Sequence, residues 1–366
     1  ISSLFLYFVD KTKNQKEKKI LILFSFFIVF IIAALRFNVG SDYPHYANYF
    51  YNYEQDTIGH FEIGYLYLNK IFNKIGFTFK GFNFFVSFII YFLFYKTYPK
   101  KNAYIFHLIF LSTLYLYSFS NTRSSLVYGL MFIATLNYID NKKIFPFLTF
   151  TIVSFLFHKT AILYLIIPFL FSKPIKHFIN YKYLSEIILI ILIILMFKNE
   201  ILRNFIFYNP ISEKLGYSKY AFLSEWSGKT VVKSGLSILG SIFAPVLFIL
   251  NRKYLIKQNS KMEFVAILCL FYIFIIDISL AVQVAARVRL LFTFIEIITC
   301  YYLILYSRKN KLIIKTIILV FYTLLFFRTI YNSNYNKFFD NASIKIAPYT
   351  TIFNREDSPR NPVFID

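Results

Sequence analysis

Apolar runs approaching the thickness of a bilayer recur from one end of this 366-residue chain to the other. Residues 20–35, 81–94, 104–119, 187–197, 264–276, 290–306 and 312–327 carry almost no charge. A helix needs about 20 mostly apolar residues to cross hydrocarbon. Runs this frequent leave no stretch for a separate soluble catalytic domain, so any chemistry must sit among helices and short loops. The composition, 58% hydrophobic and 22% aromatic, is too apolar for a water-soluble chain of this length. The expected fold is all-α: one polytopic integral membrane domain of about 11–12 transmembrane helices, spanning residues 1–366.

The expected spans are 1–9, 20–36, 81–98, 103–119, 124–139, 144–157, 160–172, 184–197, 236–250, 264–280, 288–306 and 312–331. The first begins on Ile1 rather than Met, so either upstream residues or a different start is expected. Spans 144–157 and 160–172 are short, and must borrow flanking residues, tilt little or be re-entrant. The formal charge of +22 would point to nucleic acid in a soluble protein. Here the Lys and Arg residues cluster at 11–19, 96–101, 173–182, 252–261 and 308–315, all on one side of the membrane if the spans are counted in turn. By the positive-inside rule that side is the cytoplasm, and no nucleic-acid partner is implied. Fusing 144–172 into one kinked helix would move the dense clusters after it outside, so charge favours separate spans. Two long outer loops, 37–80 and 198–235, and an outer tail, 332–366, follow from this count. Within the first, Tyr65, Leu68, Ile71, Phe72 and Ile75 share one helical face and Asn69, Lys70, Asn73 and Lys74 another. That pattern fits a helix lying in the interface or one packed on neighbouring spans. Cys269 and Cys300 fall inside apolar runs and read as packing residues.

A charge at membrane depth costs at least ~2.5–3.5 kcal/mol, which makes each one a functional hypothesis. Arg36 ends the second span, Asp42 and Glu62 lie in the loop after it, Arg123 opens the fifth, His158 separates two spans, and Arg287 and Arg289 open the eleventh. All seven face outward in this topology. Glu296, two turns below Arg289, and Asp277 are candidate partners for an arginine, and Arg328 reads as a snorkelling interfacial residue. Several separate helices delivering arginine to the side that the positive-inside rule disfavours points to a bound anion. Arginine suits bidentate recognition of phosphate, and a diphosphate accommodates several guanidinium groups. His158 reads either as a helix cap or, with its proton affinity lowered by nearby arginines, as a neutral imidazole able to accept a proton. The five His residues show no metal-ligand spacing, and no Walker, G-x-S-x-G or G-x-G-x-x-G motif is present, so neither a metal nor another cofactor is expected.

The segment A-L-R-F-N-V-G-S-D-Y-P-H-Y at 34–46 resembles the signature of the EpsG/Wzy family of bacterial polysaccharide polymerases. Arg36, Gly40, Asp42 and Tyr46 match it. Further agreement comes from Glu62 with Gly64, Asn121-Thr122-Arg123, Phe157-His158, Arg287 with Arg289, and Ala347-Pro348-Tyr349. Two positions depart from the pattern: Ser124 stands where the family tends to have Gln, and Ile63 where it tends to have Pro. The resemblance implies a membrane glycosyltransferase of O-antigen, capsule or exopolysaccharide synthesis. It would move a growing glycan from undecaprenyl diphosphate onto the next lipid-linked repeat unit, with its site on the outer face of the bacterial cytoplasmic membrane. Both lipid-linked oligosaccharides and the bilayer would be its partners, with a chain-length regulator as a further candidate. Arg36, Arg123, Arg287 and Arg289 would hold the diphosphate; His158 would be the base, with Asp42 and Glu62 as competitors; Gly40, Tyr46, Asn121, Glu296 and Tyr349 would support them. No metal is needed if arginines stabilise the leaving group. A flippase for lipid-linked oligosaccharides and an O-antigen ligase-like transferase are the competing readings. A transporter needs cations reachable from both sides and often shows repeated halves, which this chain lacks.

The topology has a direct check. Cysteine placed at Ser212 or Asn336 is expected to react with a membrane-impermeant maleimide added to intact cells; labelling only after the cells are opened would invert the count.

Overall fold

The structure is a computed structural model that describes residues 1–53, 61–99, 101–181, 183–198, 201, 235–281, 285–307, 311–333 and 344–357. Most of the expected second outer loop, with Ser212, and part of the tail, with Asn336, lie outside the described residues. Helix dominates, and the one extended pairing among the described residues is an isolated antiparallel bridge between Arg36 and Thr351. The helices are α1 (Ser2–Lys11), α2 (Gln15–Ala34), α3 (Tyr43–Asn52), α4 (Ile63–Lys74), α5 (Phe79–Lys96), α6 (Ala103–Ser118), α7 (Thr122–Asn141) and α8 (Ile144–Phe157). A 3-10 segment, Lys159–Leu165, leads into α9 (Ile166–Leu170), α10 (Lys173–Asn180) and α11 (Leu184–Phe197). Then come α12 (Gly235–Gln258), α13 (Met262–Ala281), α14 (Ala285–Phe292), α15 (Phe294–Tyr306) and α16 (Lys311–Asn332). Every expected span therefore coincides with a helix or a pair of short ones. Among the described residues, Met262–Ala281, Arg287–Tyr306 and Lys311–Asn332 are each long and apolar enough to cross a membrane, and four shorter apolar helices accompany them.

The helices fall into two compact units, Ile1–Leu165 with Thr316–Asp366, and Ile166–Lys315. In the first, α2 packs on α1 and α5, α5 on α7, and α7 on α8, with α4 resting on α3, α5 and α8. Its outer surface is apolar: Leu23, Phe24 and Phe27 of α2, Phe145 and Ile152 of α8, and Leu324 and Phe327 of α16 are exposed. Polar groups turn inward and bond between helices. The Ser25 and Tyr95 hydroxyls meet at 2.7 Å, the Tyr115 hydroxyl donates to the Val29 carbonyl at 3.0 Å, and Ser112 Oγ donates to the Tyr322 carbonyl at 2.7 Å. Buried His107 links Tyr98, at 2.5 Å, to Ser2, at 2.9 Å, and so ties α1 to α6. An apolar exterior with polar pairs between helices is the arrangement that a hydrocarbon solvent selects, because lipid offers an unpaired polar group nothing.

In the second unit α13 is buried along most of its length against α11, α12, α14 and α15. Arg252 binds Glu186 through two nitrogens at 2.9–3.1 Å, tying α12 to α11, and Lys176 pairs with Glu263 at 3.0 Å. Cys269 and Cys300 are buried and form no disulfide, and the first is in contact with Thr299 at 3.2 Å. The expected span 288–306 has a hitch at Thr293, where α14 gives way to α15 through bonds to the third residue back.

Candidate active site

The first unit gathers most of the expected site residues at helix ends. Three breaks supply them: the turn after α2, the start of α7, and the end of α8. Helix α8 stops because His158 takes an extended conformation, φ −158° and ψ 114°, and its amide closes the last turn onto the Ser154 carbonyl at 2.9 Å. The next three residues then begin a 3-10 coil, which places His158, Lys159 and Thr160 on a tight corner. This break agrees with separate elements at 144–157 and 160–172 rather than one continuous helix.

Glu62, at the start of α4, reaches that corner and the first turn of α7 together. Its Oε2 accepts from the Arg123 guanidinium, and its Oε1 accepts from the Lys159 amide at 3.2 Å and lies 3.7 Å from His158 Nδ1. One carboxylate thus bridges three chain segments. The Arg123 side chain, 20% exposed, lies over the Phe61 ring at 4.2 Å and beside Tyr65 at 5.9 Å. Its Nε has no hydrogen-bond partner. Arg123 also faces the Tyr46 phenol, whose pKa is raised by burial and drawn back by the nearby guanidinium. Burial raises the Tyr65 phenol more strongly, so both tyrosines are neutral donors beside the cation. His158 Nδ1 meets Thr160 Oγ1 at 3.0 Å. Asp42 sits at the N-terminus of α3, accepts from the Ser41 hydroxyl at 2.9 Å and contributes its charge to the surroundings of Tyr46. Asn121 occupies the cap position of α7, with its carbonyl accepting from Ser125 Oγ at 2.8 Å.

Arg36 lies deeper, 3% exposed. Its guanidinium donates to the Ala33 carbonyl at 2.6 Å and to the hydroxyls of Ser87 and Thr122, each at 3.3 Å, and lies over Phe119 at 5.3 Å and Tyr43 at 5.9 Å. All these partners are neutral. Thr122 adjoins Arg123, so Arg36 supports the start of α7 from beneath. A strap from the tail covers this turn: the Phe37 amide donates to the Thr350 carbonyl at 2.9 Å, and the Ile352 amide to the Leu35 carbonyl at 3.0 Å. Tyr349 donates its hydroxyl to the Ile32 carbonyl; burial pushes its pKa up to about 12, against the pull of Arg36. Gly40, at φ +104°, donates to the Lys345 carbonyl at 3.0 Å, and a Cβ there would stand 2.2 Å from the Phe119 carbonyl oxygen.

Arg287, Arg289 and Glu296 belong to the second unit. Arg287 is exposed and Arg289 half-buried on α14; Glu296 is buried in the first turn of α15, where it accepts from the Tyr272 hydroxyl at 3.1 Å. Among the described residues the expected arginine partner for Asp277 is not found: this residue is buried on α13 with neither carboxylate oxygen hydrogen-bonded there. Among the described residues no group of three or more His, Cys, Asp or Glu is gathered to hold a metal ion. Sequence reading missed the aromatic shelf of Phe61 and Tyr65 under Arg123, the Lys159 amide, the hydroxyls around Arg36 and the strap at 349–352. None carries a motif of its own, since each acts through contacts that only the fold creates.

The fold and site define a multi-helix membrane protein with a charged cluster at its helix breaks. The EpsG family profile matches residues 19–351, nearly the whole chain, so the protein belongs to the EpsG family. Comparisons with curated proteins and with solved structures gave no match. The matched span includes Arg36, Glu62, Arg123 and His158, and it ends in the strap over Arg36. Membership supports a polymerase-like role in polysaccharide biosynthesis at a membrane.

The turn after α2 offers a stability test. Gly40→Ala is expected to cost about 1–3 kcal/mol from the backbone conformation alone, with the clash against Phe119 added, and so to lower the melting temperature in detergent markedly. An unchanged melting temperature would mean that the tail and this turn are not packed as described.

Proposed function

We propose that this chain is a polysaccharide polymerase that transfers a growing glycan from undecaprenyl diphosphate to a hydroxyl of the next lipid-linked repeat unit, at the outer face of the bacterial cytoplasmic membrane. The observation that carries this reading is the Glu62 bridge, which holds a cation and an imidazole side by side at helix breaks. Family membership supports it.

In this reaction a new bond forms between the acceptor oxygen and the anomeric carbon, and the bond from that carbon to the diphosphate oxygen breaks. The electron pair leaves with the diphosphate, where negative charge builds up. Arg123, backed by Arg36 beneath it, is the group we assign to that charge; a cation poised at a developing anion acts only as the charge appears. Arg287 and Arg289, on α14, are further candidates for binding a lipid-linked anion. His158 takes the acceptor proton. With Nδ1 turned to Thr160 and Glu62, Nε2 carries the lone pair that receives it, and the proton then passes to solvent or to the departed diphosphate. Both Glu62 oxygens already accept hydrogen bonds, which suits an orienting residue better than a base. Asp42, next to Tyr46, remains the competing base. Nothing in this sequence of steps calls on a metal, because the guanidinium groups supply the charge.

The test is purified protein in vesicles with one defined lipid-linked repeat unit. The expected product is a ladder of longer glycans with release of lipid diphosphate. His158→Ala and Arg123→Ala should each reduce polymer at least about 100-fold while leaving membrane insertion intact. Full-length polymer from both variants would remove these assignments; no ladder, with the lipid crossing between leaflets, would favour a transporter.

A further inference from the structure

The outward surface next to the Glu62 cluster is apolar on two sides. On α4 the buried residues Tyr65, Asn69 and Phe72 face the protein, while Ile63, Tyr67, Ile71 and Ile75, at strict four-residue spacing, form a ridge on the opposite side, each more than half exposed. Lys70 and Lys74 flank that ridge. On α8 the residues Phe145, Leu148, Ile152, Phe155 and Leu156 form a second exposed apolar face that ends two residues before His158. The two helices meet where Gly64 approaches Leu156 so closely that a Cβ would stand 2.7 Å from the Leu156 carbonyl oxygen. At this crossing Ile63 adjoins Glu62 in the chain and Leu156 nearly adjoins His158. Both apolar faces therefore converge on the charged cluster.

We propose that the angle between the α4 ridge and the outer face of α8 is the seat of the polyprenyl chain of the lipid-linked substrate, with its diphosphate at Arg123. This rests on the function proposed above and adds where the lipid lies. The occupant is an amphiphile with a long apolar chain joined to an anion, and the surface has that same order: apolar faces on both helices leading to the partly exposed Arg123 cation. A substrate held this way approaches sideways from the bilayer, and its reacting phosphate reaches the site without the chain leaving hydrocarbon. Lys70 and Lys74 would meet the headgroup layer, their stems lying along the ridge.

The experiment uses the full chain in lipid nanodiscs, with the photoreactive residue p-benzoylphenylalanine placed singly at Tyr67, Ile152 or, as a lipid-facing control, Leu324 on α16. The probe is a radiolabelled polyprenyl diphosphate. Cross-linking at Tyr67 and Ile152 should exceed that at Leu324 at least tenfold, and excess unlabelled polyprenyl diphosphate, but not phosphatidylglycerol, should abolish it. Equal yields at all three positions, or displacement by phosphatidylglycerol, would make these faces ordinary bilayer contacts and overturn the proposal. The glycan ladder separates the two ideas. Polymer formed without preferential cross-linking sinks the lipid seat alone, and loss of the ladder with cross-linking retained sinks the polymerase reading alone.

Discussion

Everything at the candidate site depends on one carboxylate. Glu62 stands at the start of α4, and it accepts from the guanidinium that opens α7 and the amide just past the end of α8. Helix ends leave amides without partners, and in a membrane protein water is scarce to satisfy them. A carboxylate that caps one end and neutralises a cation at another ties three segments together where their helices already pack. Removing one member of such a pair leaves a half-buried charge alone, which is why ion pairs of this kind are sensitive to single substitutions. The same bridge holds His158 beside Arg123, and from that neighbourhood the proposed chemistry follows.

Arg36 shows a second use of the same physics. It is buried among a carbonyl, two hydroxyls and two aromatic rings, with no carboxylate paired to it among the described residues. Aromatic faces and carbonyl oxygens offset part of the cost of a buried cation, and a guanidinium tolerates this because its charge is delocalised. The result is a positive charge directly below the residue preceding Arg123, sealed by the strap at 349–352. Placed there, it raises the potential at the start of α7 without touching the surface. The tail is thus part of the site's foundation, in keeping with a family match that runs to residue 351.

The helices were legible in the sequence because lipid imposes a simple rule: long apolar runs, broken by charged loops, become helices. Each expected span found a helix or a pair of short ones. The details that failed to read are those where lipid reverses the usual pattern. Asn69 is buried and Ile71 exposed on α4, so the apolar ridge is the side turned away from the protein. The periodicity showed the helix but not which side faced inward. The site residues Arg36, Glu62, Arg123 and His158 were visible as charges or imidazole at span ends, and their resemblance to a family signature joined them. Invisible were the partners. Sequence spacing cannot show that Phe61 lies under Arg123, that Thr122 and Ser87 hold Arg36, or that the Asp277 carboxylate has no hydrogen bond among the described residues. Those contacts join residues as far as 86 positions apart through helix packing.

The most direct measurement is an experimental structure of the protein in nanodiscs with polyprenyl diphosphate bound. Phosphate oxygens are expected within hydrogen-bonding distance of the Arg123 guanidinium, with His158 beside them and Glu62 still joined to the Lys159 amide. A diphosphate seated on the lysine-rich side of the membrane, with Arg123 and Glu62 undisturbed and far from it, would contradict the account.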